Sequence, residues 1–329
     1  MILTRAPFRL PLGGGATDLP EYYKQYEGEL VTATINHYVY VFINKPILSD
    51  KIKLYHHAKE SLRVEDINLI EHAIIRESFK LHNVNFPIEA GSTMEIEEGT
   101  GLGSSSVFAV ALLTGLNTLQ HKFVSPEQIA EEASYVEIDL IGKPIGKQDQ
   151  YAAAIGGINK LHINRRGIVT VQPLKIDPET ILELENRLLL FYTGNTRNAN
   201  EILAEQSQKI KEKICVDYMH EIKAIGIEIE KALLKGDITM FGKLLHQHWN
   251  VKKRISDKMS TIRLDEIYNT ALKSGAIGGK ILGAGGSGFF MFCVKDHDRK
   301  QLKKAMEKYG LKFMDFRFEF EGVKVLTNI

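Results

Sequence analysis

Apolar and polar residues alternate through much of the first half of the chain, which is the pattern of half-buried β-strands. The strands predicted from this pattern are residues 3–12, 29–35, 38–43, 51–56 and 88–96, with two more within residues 156–171. The helices predicted from a helical period are residues 66–81, 107–119, 126–141 and 150–155. The second of these helices is apolar on nearly every side, so we expect it to be buried.

The second half of the chain has a different order of elements, with long helices placed between strands. The predicted strands are residues 188–192, 276–282, 288–294 and 312–320, and the predicted helices are residues 200–234, 238–254, 264–274 and 298–309. Without the additional helices the order is β-α-β-β-α-β, which is that of a ferredoxin-like unit. A chain of 329 residues is also long for a single core. We therefore expect an α+β protein with two domains, residues 1–184 and residues 185–329.

Composition and charge narrow the classes of function. Lys and Arg number 42 and Asp and Glu 41, so the formal net charge is +1 and no long-range field attracts nucleic acid or an anionic membrane. Cys215 and Cys293 lack the spacing of metal ligands, and no signal segment opens the sequence. No apolar run approaches the roughly 18 residues that span a bilayer. These features predict a soluble cytoplasmic protein with small-molecule partners, and they leave a homodimer open.

A cluster of glycines followed by hydroxyl side chains lies just before the predicted buried helix. Its residues are Gly99, Thr100, Gly101, Leu102, Gly103, Ser104, Ser105 and Ser106. Glycines let backbone N–H groups turn toward a phosphate, and the positive end of the helix dipole adds a favourable field. The spacing is neither that of a Walker A loop, which needs a following lysine, nor that of a dinucleotide fingerprint. We predict a phosphate-binding loop; the alternative is a turn whose serines cap the helix, although a cap requires only one serine.

Three motifs, taken in order, resemble those of the GHMP kinase superfamily, which includes galactokinases, homoserine kinases and mevalonate kinases. The motifs are residues 6–9 (APFR) continued by residues 13–18 (GGGATD), the loop at residues 99–106, and residues 280–288 (KILGAGGSG). The resemblance covers nearly the whole chain. It implies a first domain like the second domain of ribosomal protein S5, a ferredoxin-like second domain, and a kinase that uses ATP and Mg²⁺.

The same resemblance implies roles for several side chains. Asp149 matches the catalytic aspartate of galactokinases, which orients or deprotonates the acceptor hydroxyl, and Arg9 matches an arginine close to that aspartate. Glu137 precedes Asp149 by 12 positions, as the corresponding acid does in galactokinases, and is expected to hold Mg²⁺ with Ser105. From the residues alone, Asp149 could instead cap the helix that follows, and Glu137 could lie on a solvated helix face.

The acceptor site is predicted from the first and third motifs. Asp18 matches an aspartate that binds sugar hydroxyls in galactokinases, although it could also cap a helix that begins at Pro20. Galactokinases carry a Glu-His pair where this chain has Gly15 and Ala16, which disfavours galactose and leaves room for a bulkier acceptor. The residues assigned to the acceptor are Gly14, Gly15, Thr17, Asp18, Arg197, Lys280, Gly285 and Gly286.

Within the superfamily, residues 146–151, 192–197 and 275–280 resemble the kinases that phosphorylate the anomeric hydroxyl of a heptose 7-phosphate. Such an acceptor needs a cationic pocket, for which Arg197 and Lys280 are predicted ahead of the basic cluster at residues 252–254, because both lie beside glycine turns. Two other interpretations stay open. The chain could be a kinase for a free sugar, an isoprenoid alcohol or an amino-acid alcohol, or a non-catalytic sugar- or nucleotide-binding protein on the same scaffold.

Overall fold

The computed structural model describes residues 1–56, 59–194 and 199–329. Its strands are β1 Ile2–Gly13, β2 Gly28–Asn44, β3 Lys51–Tyr55, β4 Lys59–Arg63, β5 Ile88–Met94, β6 Ile158–Ile163, β7 Val169–Pro173, β8 Leu188–Tyr192, β9 Ala276–Ile281, β10 Phe289–Val294, β11 Lys312–Met314 and β12 Lys324–Asn328. Its α-helices are α1 Pro20–Tyr26, α2 Ala73–Leu81, α3 Ser104–Leu119, α4 Pro126–Ser134, α5 Gln148–Ile155, α6 Pro178–Arg187, α7 Ala199–Lys211, α8 Val216–Leu234, α9 Ile238–Lys253, α10 Ile262–Lys273 and α11 Arg299–Glu307. Across these described ranges, no helix combines the length and apolar character that crossing a bilayer requires.

The first sheet has eight strands and is organised around β1 and β2. Its order is β12-β1-β2-β5-β3-β4, with β6 paired to β2 and β7 paired to β6. All pairs are antiparallel except β3 with β5. The 17 residues of β2 allow it to pair with β6 through its first half and with β5 through its second half. The buried helix α3 packs against β1, where the Thr4 hydroxyl donates to the carbonyl of Ala111 at 2.9 Å.

The second sheet has four strands in the order β11-β8-β10-β9, and all its pairs are antiparallel. The last strand of the unit therefore lies beside the first, and the third lies between the first and the second. This arrangement confirms the predicted ferredoxin-like unit. A separate apolar core, which includes Phe191, Trp249 and Phe292, packs this sheet against α10 and α11.

The two helices α8 and α9 connect the sheets. Helix α8 packs against β1 and β2 of the first sheet, and α9 packs against β9 and β10 of the second. The contact with α8 is close at Gly226, where an added Cβ would lie 2.8 Å from the backbone of Gly14. The second sheet reaches the end of β1, where Lys280 Nζ of β9 donates to the carbonyl of Leu12 at 3.1 Å.

Several elements differ from the sequence predictions. The helix predicted at residues 200–234 is two helices, α7 and α8, and the strand predicted at residues 312–320 ends at Met314. The final strand β12 was not predicted, and it returns to the first sheet to pair with β1. A division of the chain after residue 184 falls inside α6 and stays a prediction.

Candidate active site

The glycine-rich loop leads directly into α3, and its backbone conformation explains the glycines. Gly99, Gly101 and Gly103 have φ angles of +77°, +87° and +82°, which residues with a Cβ rarely adopt. Gly103 is the N-cap residue of α3, and in the described part of the chain no side chain caps this helix. The N–H groups of its first turn therefore point toward a ligand position at the positive end of the helix dipole.

Three hydroxyl groups of the loop form hydrogen bonds that do not cap helix α3. Thr100 Oγ1 and Ser104 Oγ donate to the carbonyl of Glu97 at 2.9 and 3.4 Å. Ser105 Oγ donates to Glu137 Oε1 at 2.6 Å. The interpretation of the serines as helix caps is therefore wrong.

Two neighbouring cavities lie beside this loop. The first, which we call the loop cavity, is lined on one side by Gly99, Gly101, Gly103 and the three serines that follow, whereas Thr100 and Leu102 are buried. The second, which we call the basic cavity, is lined by residues that include Gly15, Asp18, His248, Lys252 and Lys280. The residues that line both cavities are Arg9, Ile145, Asp149, Leu203, Gly283 and Ala284.

The glycine turn at residues 283–288 packs directly against the loop. An added Cβ on Gly101 would lie 2.7 Å from the carbonyl oxygen of Leu282. An added Cβ on Gly288 would lie 2.1 Å from the carbonyl oxygen of Thr100. These distances are shorter than any normal contact, so the second and third motifs are held together backbone against backbone.

Only part of this turn reaches the cavities. Gly285 and Gly286, which the sequence assigned to the acceptor, lie against Met259 and are not among the residues that line either cavity. The N–H of Gly286 donates to the carbonyl of Met259 at 2.9 Å, and an added Cβ on Gly285 would lie 2.8 Å from its sulfur. Gly283 and Ala284, which were not among the residues assigned to the acceptor, line both cavities instead.

Arg9 and Asp149 form a two-point ion pair where the two cavities meet. Arg9 Nε and Nη2 donate to Asp149 Oδ1 and Oδ2, each at 2.6 Å, and Arg9 Nη1 donates to the carbonyl of Gly101 at 2.7 Å. Arg9 is only 6% exposed, so its charge depends on these partners. Asp149 lies in the first turn of α5 without capping it, and the helix dipole there favours a carboxylate.

Glu137 lies in a π-helical turn, Tyr135–Leu140, that follows α4, and it is fully buried. Its Oε1 accepts from Ser105 Oγ at 2.6 Å and from Lys143 Nζ at 2.9 Å, and its Oε2 accepts from Gln150 Nε2 at 2.7 Å. Lys143 Nζ also donates to Ser105 Oγ at 2.5 Å. The interpretation of Glu137 as part of a solvated helix face is therefore wrong. Because the Ser105 and Glu137 oxygens already hold an ammonium group between them, their donor set fits a hard cation.

Asp18 is a buried carboxylate of the basic cavity. Its Oδ2 accepts from the N–H of Gln148 at 3.0 Å. Burial raises the pKa of its carboxyl, and the Gln148 hydrogen bond opposes this shift. Helix α1 has Leu19 as its N-cap with no side-chain cap from the described residues, so Asp18 does not cap it. An added Cβ on Gly15 would meet only Gln148 Oε1, at 3.8 Å, which leaves open space beside the carboxylate.

Thr17 and Gly14 support the first motif and do not line the basic cavity. Thr17 Oγ1 lies 2.8 Å from the carbonyl oxygen of Gly14 and 3.0 Å from that of Glu29, and it accepts from the N–H of Glu29 at 3.1 Å. An added Cβ on Gly14 would lie 2.3 Å from the Glu29 carbonyl oxygen. Arg197, the remaining residue assigned to the acceptor, lies outside the described residues.

Helix α9 and strand β9 supply three buried basic side chains to the basic cavity. Lys280 was predicted, Lys252 belonged to the less favoured basic cluster, and His248 was not predicted. His248 and Lys252 are four residues apart on α9 and therefore share a helix face. Burial and the nearby charge of Arg9 lower the pKa of Lys252 to about 8, and burial with neighbouring cations lowers that of Lys280 well below its ordinary value.

Similarity to known proteins identifies the family of the chain. The sequence matches family models described as GHMP kinases N terminal domain, at residues 68–157, and GHMP kinases C terminal, at residues 229–312. It is 32% identical over 98% of both chains to D-glycero-alpha-D-manno-heptose 7-phosphate kinase of Campylobacter jejuni. It is 25% identical to galactokinase of Pyrococcus furiosus, over 95% of this chain and 94% of that one. The fold is similar to the crystal structure of a D-glycero-D-manno-heptose 1-phosphate kinase from Bacteroides thetaiotaomicron, with a TM-score of 0.84, 26% identity and coverage of 100% of both chains.

Proposed function

The chain belongs to the GHMP kinases, and from this premise we propose that it transfers the terminal phosphoryl group of ATP to a hydroxyl group of a sugar phosphate. Membership of the family makes it a phosphotransferase with an alcohol group as acceptor. The observation that carries the proposal is the Arg9–Asp149 ion pair, which lines both cavities. A donor in the loop cavity and an acceptor in the basic cavity would meet at this pair.

The loop cavity is the proposed ATP site. The N–H groups at the start of α3 and the glycines before it are suited to bind a polyphosphate. Ser105 and Glu137 are the residues that would hold Mg²⁺, an ion that offsets phosphate charge when bound. Lys143, held by both of these residues, adds a positive charge of its own to the same wall.

Asp149 is the proposed catalytic carboxylate. It would accept a hydrogen bond from the acceptor hydroxyl and take its proton while the new bond between oxygen and phosphorus forms and the bond to the ADP oxygen breaks. Arg9 fixes the orientation of this carboxylate by binding both of its oxygens. The permanent charge of the guanidinium would also stabilise negative charge on the transferred group.

The proposed acceptor is D-glycero-D-manno-heptose 7-phosphate, phosphorylated on its anomeric C1 hydroxyl to the 1,7-bisphosphate in the biosynthesis of GDP-activated heptose. The names of two relatives support a heptose that carries a phosphate, although they place that phosphate at different positions. Asp18 is suited to accept hydrogen bonds from sugar hydroxyls, and Gly15 leaves space beside it.

An unphosphorylated sugar is the alternative acceptor, and the similarity to a galactokinase favours it. The buried lysines of the basic cavity argue against a neutral acceptor, because they lie where such a ligand would leave their charge uncompensated. A non-catalytic binding protein is also disfavoured, since it would not require Asp149, Glu137 and Ser105 together.

An acceptor panel tests the proposal. The protein with ATP and Mg²⁺ would be given the heptose 7-phosphate, the corresponding free heptose, galactose, mevalonate and homoserine, with ADP release and product mass as readouts. We expect the highest kcat/KM on the heptose 7-phosphate, with the new phosphate on C1 by NMR. Equal kcat/KM on the free heptose would contradict the proposed acceptor.

The Asp149→Asn substitution tests the catalytic assignment. We expect kcat to fall about 100-fold or more, because the amide cannot take a proton, while the circular dichroism spectrum is unchanged. Asp315→Asn is the control, since that side chain is 78% exposed and distant in sequence from the motifs. Wild-type turnover in Asp149→Asn would show that another group performs this step.

A further inference from the structure

The basic cavity contains more buried positive charge than its surroundings neutralise. His248, Lys252 and Lys280 are 2%, 8% and 2% exposed. All three line the basic cavity, and none of them is among the residues that line the loop cavity. The charge of the two lysines and the ring of His248 therefore face the acceptor and not the polyphosphate of ATP.

The contacts of these side chains leave hydrogen-bonding capacity unused. Lys252 Nζ donates to the carbonyl of Gly283 at 2.5 Å, and Lys280 Nζ donates to the carbonyl of Leu12 at 3.1 Å. Each ammonium has three N–H donors, so these bonds satisfy only part of each group. Neither ring nitrogen of His248 has a hydrogen-bond partner among the described residues.

The carboxylates nearby form their hydrogen bonds with other groups and not with these ammonium groups. Asp149 is held at both oxygens by Arg9, and Asp18 accepts the N–H of Gln148. Over the described ranges, neither Lys252 nor Lys280 forms an ion pair within 4.0 Å. A buried ammonium without a counter-ion is unfavourable, and the lowered pKa of Lys252 and of Lys280 expresses the same deficit of negative charge.

A dianionic group bound in the basic cavity would satisfy the unused donors and balance the positive charge. It would supply acceptor oxygens to both ammonium groups and to the one N–H of a neutral imidazole, and it would compensate their charge in a site that excludes most water. We propose that Lys252, Lys280 and His248 form the subsite that binds the phosphate group of the acceptor. This inference rests on the proposed function, because it makes the acceptor a phosphorylated sugar.

Steady-state kinetics test the subsite through discrimination between two acceptors. For the wild type and for Lys252→Met, Lys280→Met and His248→Asn, kcat/KM would be measured on the heptose 7-phosphate and on the free heptose. We expect the ratio of the two values to fall about tenfold or more in each lysine variant, chiefly through KM for the phosphorylated acceptor. An equal loss on both acceptors would indicate a structural role and would overturn the proposal.

Lys253→Met is the matched control. Lys253 adjoins Lys252 in sequence, but it is paired with Asp265 at 3.2 Å and does not line the basic cavity. We expect this variant to keep the wild-type ratio. A fall as large as that of Lys252→Met would mean that net charge on α9, and not the subsite, sets the ratio.

A binding experiment separates failure of the subsite from failure of the proposed function. Calorimetry would measure the binding of inorganic phosphate to the protein saturated with Mg²⁺ and a non-hydrolysable ATP analogue, which occupies the loop cavity. We expect binding in the wild type and in Lys253→Met, and its loss in the Lys252→Met/Lys280→Met double variant. That result would support the subsite even if no heptose were turned over, whereas no binding in the wild type, or equal binding in the double variant, would contradict it.

Discussion

At the scale of single residues, the proposed site depends on a buried carboxylate, that of Glu137, whose two oxygens both accept hydrogen bonds. Glu137 is fully buried and receives hydrogen bonds from a hydroxyl, an ammonium and an amide. Three donors of this kind satisfy the hydrogen-bonding capacity of a carboxylate that is shielded from water. The side chain is therefore expected to matter both for stability and for cation binding.

The Glu137→Gln substitution separates these two contributions. The amide keeps the shape but leaves the ammonium of Lys143 without a counter-charge, so we expect the free energy of unfolding to fall by about 1–3 kcal/mol in urea titrations. We also expect the Mg²⁺ concentration for half-maximal turnover to rise. Glu228→Gln is the control, because Glu228 lies 55% exposed beside Lys231 and should change neither quantity. An unchanged Mg²⁺ requirement would refute the metal assignment.

The pKa of Lys252, lowered to about 8 by burial and by Arg9, predicts how acceptor affinity changes with pH. Above pH 8 the side chain loses its proton, so KM for the phosphorylated acceptor should rise while KM for ATP stays constant. Lys280 titrates in the same sense, and His248 is neutral because burial and both lysines lower its pKa. The Lys252→Met/Lys280→Met variant should lack this alkaline rise. If the rise persists in that variant, the titrating group lies elsewhere.

As the pH rises, the stability of the unliganded protein should increase, whereas its affinity for the acceptor should fall. The folded-state pKa of Lys252 lies below the ordinary value of 10.5, so the unfolded chain binds more protons between about pH 8 and 10.5. The contribution of this group to stability therefore increases as the pH rises through that interval.

Residue type and spacing identified part of this site from sequence. Arg9 and Asp149 could be predicted because they sit in recognisable motifs, and Glu137 because it precedes Asp149 by 12 positions. The structure brings Arg9 and Asp149 together. Lys143 and His248 could not be predicted, because their importance depends on which surfaces pack around them. A lysine in a turn and a histidine on a helix are usually solvated or simply buried, and no local pattern distinguishes these two.

At the scale of elements, the site depends on two glycine turns in direct backbone contact. Gly288 has a φ of +95°, and an added Cβ would lie 2.1 Å from the carbonyl oxygen of Thr100 in the loop. Gly310 has a φ of +75° but nothing within 4 Å of an added Cβ. Substitution of Gly310 should therefore measure backbone strain alone, whereas substitution of Gly288 should add the loss of contact between the turns.

We expect Gly310→Ala to lower the free energy of unfolding by about 1–2 kcal/mol, which is the usual cost of a left-handed alanine. Gly288→Ala should lower it further and raise KM for ATP, because the added methyl group pushes the two turns apart. Thermal unfolding and ATP kinetics on both variants check this. Equal stability and equal KM in the two variants would mean that the turns can separate without consequence.

Element boundaries were less predictable than element types. The pattern from residue 200 to 234 is helical throughout, yet the helix ends near Lys213, whose φ is +59°. There the N–H of Ile214 donates to the carbonyl of Lys209 and that of Lys213 to the carbonyl of Ile210, which is a Schellman ending. Such endings usually contain glycine, so a lysine in this position gave no signal.

At the scale of the whole molecule, the proposed site requires both sheets. Arg9 is on β1 of the first sheet, whereas Lys252 and Lys280 come from α9 and β9 around the second sheet. The order of the ferredoxin-like unit could be predicted from sequence because β8 and β10 are strongly apolar and long helical patterns separate the strands. The return of the chain to the first sheet could not, because β12 has five residues that are only partly buried or exposed and show no clear alternation.

Removal of the last strand tests whether this part of the fold contributes to stability without contributing to activity. Strand β12 pairs with residues 2–5 of β1, whereas Arg9 lies further along β1 and pairs with Thr34 of β2. A truncation that ends at Val323 should therefore lower the melting temperature by several degrees, because it removes this ladder and uncovers an edge of β1. At a temperature where the truncated protein is folded, kcat and KM for ATP should stay within about twofold of the wild type, since the β1–β2 pairing that positions Arg9 is retained.

A truncation that ends at Asn328 keeps the strand and serves as the control. A large loss of kcat in the shorter protein, with its fold intact, would show that β12 positions Arg9 through β1 and that the site is coupled to the edge of the sheet.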